Sequence, residues 1–226
     1  MGRGHCIVND SGPIKLADIR KDYTLGALRK WDLADDPITQ FETWFSDALA
    51  ANVPEPSAMT LSTVDAGNQP SGRVVLLKDV DSRGFSFFTN YLSKKGQDLA
   101  TNPRAALTFH WKELERQVCI LGKVEKLSRE ESETYFNSRP FMSRCGAWVS
   151  QQSTVLPGRD VMEQKMKLLV AQYGKDEAVP TPPHWGGYRL KPDSIEFWQG
   201  QRSRLHDRLR YVYQSGQSWK VERLSP

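Results

Sequence analysis

SAMTLSTVDAGNQPSGRVVLLKDVDSRGFSFFT, residues 57–89, is the stretch whose reading decides the fold. Ala58–Val64 alternates apolar and polar side chains, and Asp65-Ala66-Gly67-Asn68 supplies turn residues. Gly72–Val80 is rich in Val and Leu, Asp81-Ser82-Arg83-Gly84 is a second turn, and Phe85–Thr89 a third apolar run. Short β-rich runs joined by tight Gly/Asn/Asp turns predict an antiparallel meander. Downstream, Ala105–Trp111 and Gln117–Leu127 read as a hairpin across Lys112-Glu113-Leu114-Glu115. Trp185–Leu190, Ile195–Trp198, Arg208–Gln214 and Trp219–Leu224 read as four closing strands. So many strands leave exposed edges unless the sheet curls on itself. The expected fold is mainly β with peripheral helices (α+β), a closed or nearly closed barrel.

Helices are expected around this frame. Asp35-Asp36-Pro37 places an acidic N-cap before a Pro at the first helical position. Ile38, Phe41, Trp44, Phe45, Ala48 and Leu49 then fall on one helical face, which reads as core. Asp18–Trp31 is expected to form a short helix, Ser93–Thr101 another with Ser93 as N-cap, and Gly158–Tyr173 an amphipathic one. Ser128–Ser138 opens with Ser-Arg-Glu-Glu, a capping-box pattern. Residues 1–17, mixing Gly, Pro, Asp and Ser, read as a loose arm, and 18–226 as a single domain.

With 226 residues and a formal charge of +4, the chain is long enough for a core and only mildly basic. The charge is a weak argument for nucleic acid, and no run of exposed aromatics interleaves the basic residues. Three cysteines, Cys6, Cys119 and Cys145, with no CxxC, argue against a disulfide framework and a metal site, so a reducing cytosol is expected. Residues 1–10 have no apolar signal core, and no run of eighteen apolar residues occurs, so a leader and a membrane span are set aside.

Several polar groups could carry chemistry. Arg73 and Lys78 flank the apolar middle of a strand and, an odd number of positions apart, are expected on opposite faces. They could serve two anions, although solvated strand ends are the favoured reading of the spacing alone. Lys94 and Lys95 open a helix, where cations are unfavourable unless an anion neutralises them. Gln117 is either a ring-edge partner or an ordinary strand-end glutamine. Tyr135 and Arg139, four apart on a predicted helix, with Ser143 beyond it, could clamp a phosphate or be a surface pair plus a cap. Arg204, His206 and Arg208 alternate, as if lining one face of a strand that is either solvated or part of a site. No Ser/His/Asp order, metal-spaced His pair or Gly-rich phosphate loop appears.

Together these segments resemble the pyridoxine/pyridoxamine 5′-phosphate oxidase family over about Ile19 to Pro226. The motifs that carry the resemblance are Arg73–Lys78, Leu114-Glu115-Arg116-Gln117-Val118, Tyr135-Phe136-Asn137-Ser138-Arg139-Pro140 and Gly146–Ser153. To these are added Glu196-Phe197-Trp198-Gln199-Gly200 with Arg204-Leu205-His206-Asp207-Arg208, and the ending Glu222–Pro226.

The resemblance implies an FMN-binding split β-barrel, homodimeric, with FMN at the subunit interface. FMN would be held by Arg73, Val74, Val75, Leu76, Leu77 and Lys78, by Phe88 and Thr89, and by Lys94 and Lys95. Gln117, Gln152, Ser153, Trp198 and Arg208 would complete its site. The substrate, a small phosphorylated pyridine, would meet Lys78, Tyr135, Arg139 and Ser143 through its phosphate. Arg204, Leu205 and His206 would lie at its ring, with Arg204 and His206 in the catalytic role. Arg20, Lys21, Asp22 and Tyr23 would close over it. The family often has Tyr where Phe88 stands and Arg where Lys94 stands; the second change loses a bidentate fork. The implied reaction moves a hydride from the substrate's 4′ carbon to the flavin, with O2 as final acceptor. Other split-barrel flavoproteins and a non-catalytic pyridoxal phosphate carrier are the rival readings.

Overall fold

The computed structural model describes residues 7–9, 12–14, 22–174, 179–216 and 218–226. A small antiparallel pair, β1 (Ile7–Asn9) and β2 (Gly12–Ile14), precedes the main sheet. The main sheet contains β3 (Ala58–Val64), β4 (Pro70–Leu76), β5 (Asp79–Asp81), β6 (Gly84–Asn90), β7 (Arg104–Trp111) and β8 (Arg116–Lys126). It continues through β9 (Trp185–Gln199), β10 (Asp207–Gln214) and β11 (Ser218–Leu224). Its order is β11-β10-β9-β8-β7-β3-β4, with β6 also on β9 and β5 on β6, and every pair is antiparallel. β4 and β6 approach one another without pairing, so the curled sheet is a barrel left open along one seam.

Three differences from the sequence reading matter for function. The expected strand Gly72–Val80 breaks at Leu77–Lys78. There the Leu77 N–H donates to the Ser57 carbonyl and the Lys78 N–H to the Ser86 carbonyl, so the chain passes from the β3 side to the β6 side. The two expected strands Trp185–Leu190 and Ile195–Trp198 are one strand, β9. It absorbs its irregularity as a register shift opposite Leu121/Gly122. The expected helix at Asp18–Trp31 is absent over its described part: residues 22–29 are extended or bent, and only Lys30–Asp32 makes a 3-10 turn.

The helices are α1 (Pro37–Ala50), α2 (Lys94–Thr101), α3 (Arg129–Ser138), α4 (Phe141–Val149) and α5 (Asp160–Tyr173). α1 starts as the sequence predicts: the Asp36 carboxylate accepts from the Ile38 and Thr39 N–H groups, and Pro37 follows. Its apolar face fills the barrel. Phe41 is fully buried, with its ring 4.9 Å from Phe85, 5.1 Å from Phe109 and 6.0 Å from Trp111. Ser128 and Glu131 form the expected capping box at α3, and the Ser93 hydroxyl caps α2 by accepting from the Gly96 N–H. Among the described residues no helix is long and apolar enough to cross a membrane.

Because Phe41 joins α1 to two strands, β6 and β7, through three ring contacts, Phe41→Ala should cost about 3–5 kcal/mol of unfolding free energy. Denaturant unfolding would measure it; a loss below about 1 kcal/mol would mean that α1 does not plug the barrel.

Candidate active site

A cavity of about 750 Å³ opens between β4, β6, the start of α2 and the α3–α4 pair. Arg73 reaches it from β4. One guanidinium nitrogen donates to the Leu61 carbonyl (3.1 Å) and the Thr63 hydroxyl (2.6 Å), while Asp98 lies 3.8 Å away. The break after Leu76 brings Lys78 to the same cavity. The opposite-face expectation for Arg73 and Lys78 fails because the two are not on one continuous strand. Leu77, between them, is buried in the core instead.

The two lysines at the start of α2 have different partners. Lys94 is half exposed and ion-paired to Asp98 (2.8 Å) and Asp65 (3.1 Å), so its neutralising anions belong to this chain. Lys95 is buried at 8% exposure. Its ammonium donates only to neutral oxygens: Gln152 Oε1 at 3.0 Å, Thr89 Oγ1 at 3.3 Å and Ser93 Oγ at 3.4 Å. Among the described residues no carboxylate is in ion-pair contact with it. Burial, then the nearby Arg73 charge, hold its pKa below the ordinary lysine value.

On the facing wall stand Tyr135, Arg139 and Ser143, which the cavity brings together. α3 ends at Ser138, so Arg139 is not on the helix face the spacing suggested. It is the extended capping residue, and Ser143 belongs to α4, which the sequence reading missed. Burial lowers the Arg139 pKa, and among the described residues its buried Nη1 has no hydrogen-bond partner. Phe88 completes this wall, stacked 3.9 Å from Tyr135. A Cβ on Gly187 would lie 2.8 Å from the Phe88 ring, so a glycine there is what lets the ring lie flat. Asn90, Gly146, Ala147, Ser150 and Trp185 also line the cavity and were not expected there. The small residues of α4 could have been found had the helix been read.

Val74, Val75, Leu76, Thr89, Gln152 and Ser153, all named as cofactor contacts by the resemblance, also line the cavity. The remaining expected residues form a second patch. Gln117 on β8 sits opposite Trp198 on β9, which sits opposite Arg208 on β10. Arg208 is held by Glu196 through two hydrogen bonds of 2.7 and 3.1 Å, and this contact raises its pKa. The expected Arg204/His206/Arg208 strand face is not formed. Arg202–Arg204 is a 3-10 turn with positive φ at Ser203 (54°) and Arg204 (61°), and β10 begins only at Asp207.

His206 instead folds onto Trp198, ring centroids 4.6 Å apart, and its Nδ1 accepts from the Gln201 N–H. In the neutral ring that leaves Nε2 as the nitrogen carrying the hydrogen. Arg204 and Leu205 are exposed beside it. Tyr23 packs edge-on against both Trp198 (5.7 Å) and His206 (5.6 Å), over Gly200, where a Cβ would lie 2.7 Å from its ring. The buried Glu115 carboxylate fixes the following residues by accepting from the Thr24 (2.7 Å) and Leu25 (3.1 Å) N–H groups. Asp22 is exposed, and Arg20 and Lys21 lie outside the described residues.

The cavity and the patch sit at opposite ends of β9, Trp185 at the first and Trp198 thirteen residues on. At ~3.3 Å per residue that is roughly 40 Å of strand, shortened by curling but too long for one small ligand to bridge within one chain.

Residues 45–198 match the family model described as pyridoxamine 5′-phosphate oxidase. Residues 185–226 match that of the pyridoxine 5′-phosphate oxidase C-terminal dimerisation region. A pyridoxine/pyridoxamine 5′-phosphate oxidase of Cupriavidus necator is 58% identical over 212 residues, 94% of this chain and 99% of its own. That of Trichormus variabilis is 57% identical over 211 residues, covering 93% and 98%. Among solved structures, PhzG from Burkholderia lata 383 in complex with tetrahydrophenazine-1-carboxylic acid superposes with a TM-score of 0.83. It is 32% identical, and the match covers 89% of this chain and 99% of that one. An FMN-binding protein of Nostoc punctiforme, 15% identical, shares the fold with a TM-score of 0.67 over 82% of this chain and 97% of its own. With a family model spanning most of the chain and relatives of such identity along nearly its full length, the chain belongs to the pyridoxamine 5′-phosphate oxidase family.

Proposed function

We propose that the chain is an FMN-dependent oxidase that converts pyridoxine 5′-phosphate and pyridoxamine 5′-phosphate to pyridoxal 5′-phosphate. The observation that carries the reading is the excess of buried cation in the cavity. Among the described residues Lys95 has only neutral partners, and Arg139 Nη1 has none. Buried positive charge without an anion is costly, so two such groups on facing walls call for two anionic ligands. A phosphorylated cofactor beside a phosphorylated substrate meets that demand, and the residues present fit FMN on this ground.

Arg73 and Lys95 would hold the phosphate of FMN, with Thr89, Gln152 and Ser153 as neutral partners and Val74–Leu76 along the ring system. When bound, FMN supplies a two-electron acceptor for the substrate's 4′ carbon and passes the electrons to O2, giving H2O2. Lys78, Tyr135, Arg139 and Ser143 would grip the substrate phosphate, Arg139 through a bidentate fork. The imine from the amine substrate would take up water and release ammonia.

Gln117, Trp198 and Arg208 would complete the cofactor site, and Arg204 and His206 the substrate site, from a second copy of the chain. The length of β9 between patch and cavity supports this, as does the match of residues 185–226 to a dimerisation region. His206 Nε2–H would donate to the substrate's ring oxygen and Arg204 would stabilise charge there, both electrostatic roles. Tyr23 would exclude water from that side. A cytoplasmic setting suits the reaction and the unpaired thiols of Cys119 and Cys145.

The purified protein should carry flavin absorbance that bleaches when pyridoxine 5′-phosphate is added without air. In air it should yield the aldehyde and H2O2. Bound flavin that neither bleaches nor gives aldehyde would remove the oxidase reading.

The two ends of the site should also separate by mutation. Arg73→Ala should raise the FMN Kd about 10- to 100-fold, the loss expected for charged hydrogen bonds. Arg204→Ala should lower kcat/KM by a similar factor, about 10- to 100-fold, and leave flavin affinity nearly unchanged. Equal loss of both properties in Arg204→Ala would show its role to be misassigned.

A further inference from the structure

We infer that Trp185 is a positioning residue for the phosphate grip: its indole face, not a carboxylate, holds the Arg139 guanidinium in place. The inference rests on the substrate reading above and deepens it by naming what supports Arg139.

Trp185 is the first residue of β9, only 6% exposed, and lines the cavity. The Arg139 guanidinium carbon stands 4.8 Å from the Trp185 ring centroid and 5.7 Å from that of Phe136. These are the contacts that fix the arginine's head: among the described residues its side chain has no ion pair, and Nη1 has no hydrogen-bond partner. The remaining rings of the wall share the orientation. Trp185 is stacked with Phe88 (5.4 Å, 14° between planes) and parallel to Tyr135 (6.2 Å, 7°), while Phe88 stacks on Tyr135 at 3.9 Å. Phe136, beneath, meets Trp185 edge-on at 5.0 Å. One aromatic shelf therefore carries both Tyr135 and Arg139.

The physical advantage is in the charge. A carboxylate would orient Arg139 more strongly but would neutralise it, as Asp65 and Asp98 do for Lys94. An aromatic face attracts a cation through its quadrupole while leaving the net charge and the hydrogen-bonding edge of the guanidinium for a ligand. The planar stack also limits the rotamers of a long side chain before the ligand arrives, so less ordering is left for the binding step.

The test compares Trp185→Leu, which keeps bulk without a ring, with Trp185→Phe, which keeps a smaller ring. FMN-loaded protein is used throughout. A cation–π contact of this kind predicts a rise of about 3- to 30-fold in KM for pyridoxine 5′-phosphate in Trp185→Leu, and in the inhibition constant of inorganic phosphate. kcat and flavin retention should stay close to those of the parent, while the thermal midpoint falls as the buried ring contacts are lost. Trp185→Phe should recover most of the loss. An unchanged KM and phosphate constant in Trp185→Leu would overturn the inference. So would a fall in kcat and flavin retention proportionate to the rise in KM, which marks a merely structural role. If the parent protein fails to oxidise the substrate, the oxidase reading falls by itself, and the Kd of the loaded protein for inorganic phosphate, parent against Trp185→Leu, decides this one with the same expected shift.

Discussion

The rest of the structure depends on β9. This one strand hydrogen-bonds to β6 and β8 in its first half and to β8 and β10 in its second. It is therefore common to the curled barrel and to the C-terminal extension of the sheet. Its length separates the cavity wall at Trp185 from the aromatic and basic patch at Trp198, Arg208 and His206. Curling shortens that separation but leaves it longer than a small ligand, so on the proposed function the two groups of side chains would serve one ligand only if another copy brought its patch to this cavity. On the proposed function, the sheet that stabilises the fold thus also calls for a shared site.

Within that frame, charge is distributed unevenly and to effect. Lys94 and Arg208 are each bound by carboxylates of this chain, which hold both pKa values above the ordinary range. Arg73, Lys95 and Arg139 are shifted downward because burial dominates what surrounds them. The first set is structurally satisfied; the surroundings of the second disfavour the charged form, which an anionic ligand would offset. Asp98, 2% exposed, links the sets. It takes hydrogen bonds from Lys94 and the Thr63 and Ser71 hydroxyls while standing 3.8 Å from Arg73. It orients the arginine without fully consuming its charge.

Much of this was legible in the chain because the signals are local. The Asp36-Pro37 start, the Ser128/Glu131 box and the Ser93 cap each act within one helical turn, and alternation in β3 reflects one buried face. The features that escaped are set by distant partners. Nothing in Arg73–Val80 marks the break after Leu76, because it arises where Ser57 and Ser86, remote in sequence, offer carbonyls to successive N–H groups. α4 has a glycine in its middle and no capping side chain, so its nine residues carry a weak helical pattern. The turn at Ser203–Arg204 uses left-handed backbone without glycine, which no local preference announces. In the site, residue types were readable and sidedness was not. Arg73 and Lys78 share a cavity, whereas Arg204, His206 and Arg208 do not share a strand face.

The shared site is tested most directly by complementation between two defective chains. One carries Arg73→Ala and Arg139→Ala in the cavity, the other Arg204→Ala and His206→Ala in the patch, and each alone should be nearly inactive. Co-expressed and purified together, half of randomly paired dimers would combine the two, and each of these would hold one intact site. The account predicts recovery of about a quarter of the parent's oxidase activity in the mixture. Activity no higher than the sum of the two separate variants would contradict it.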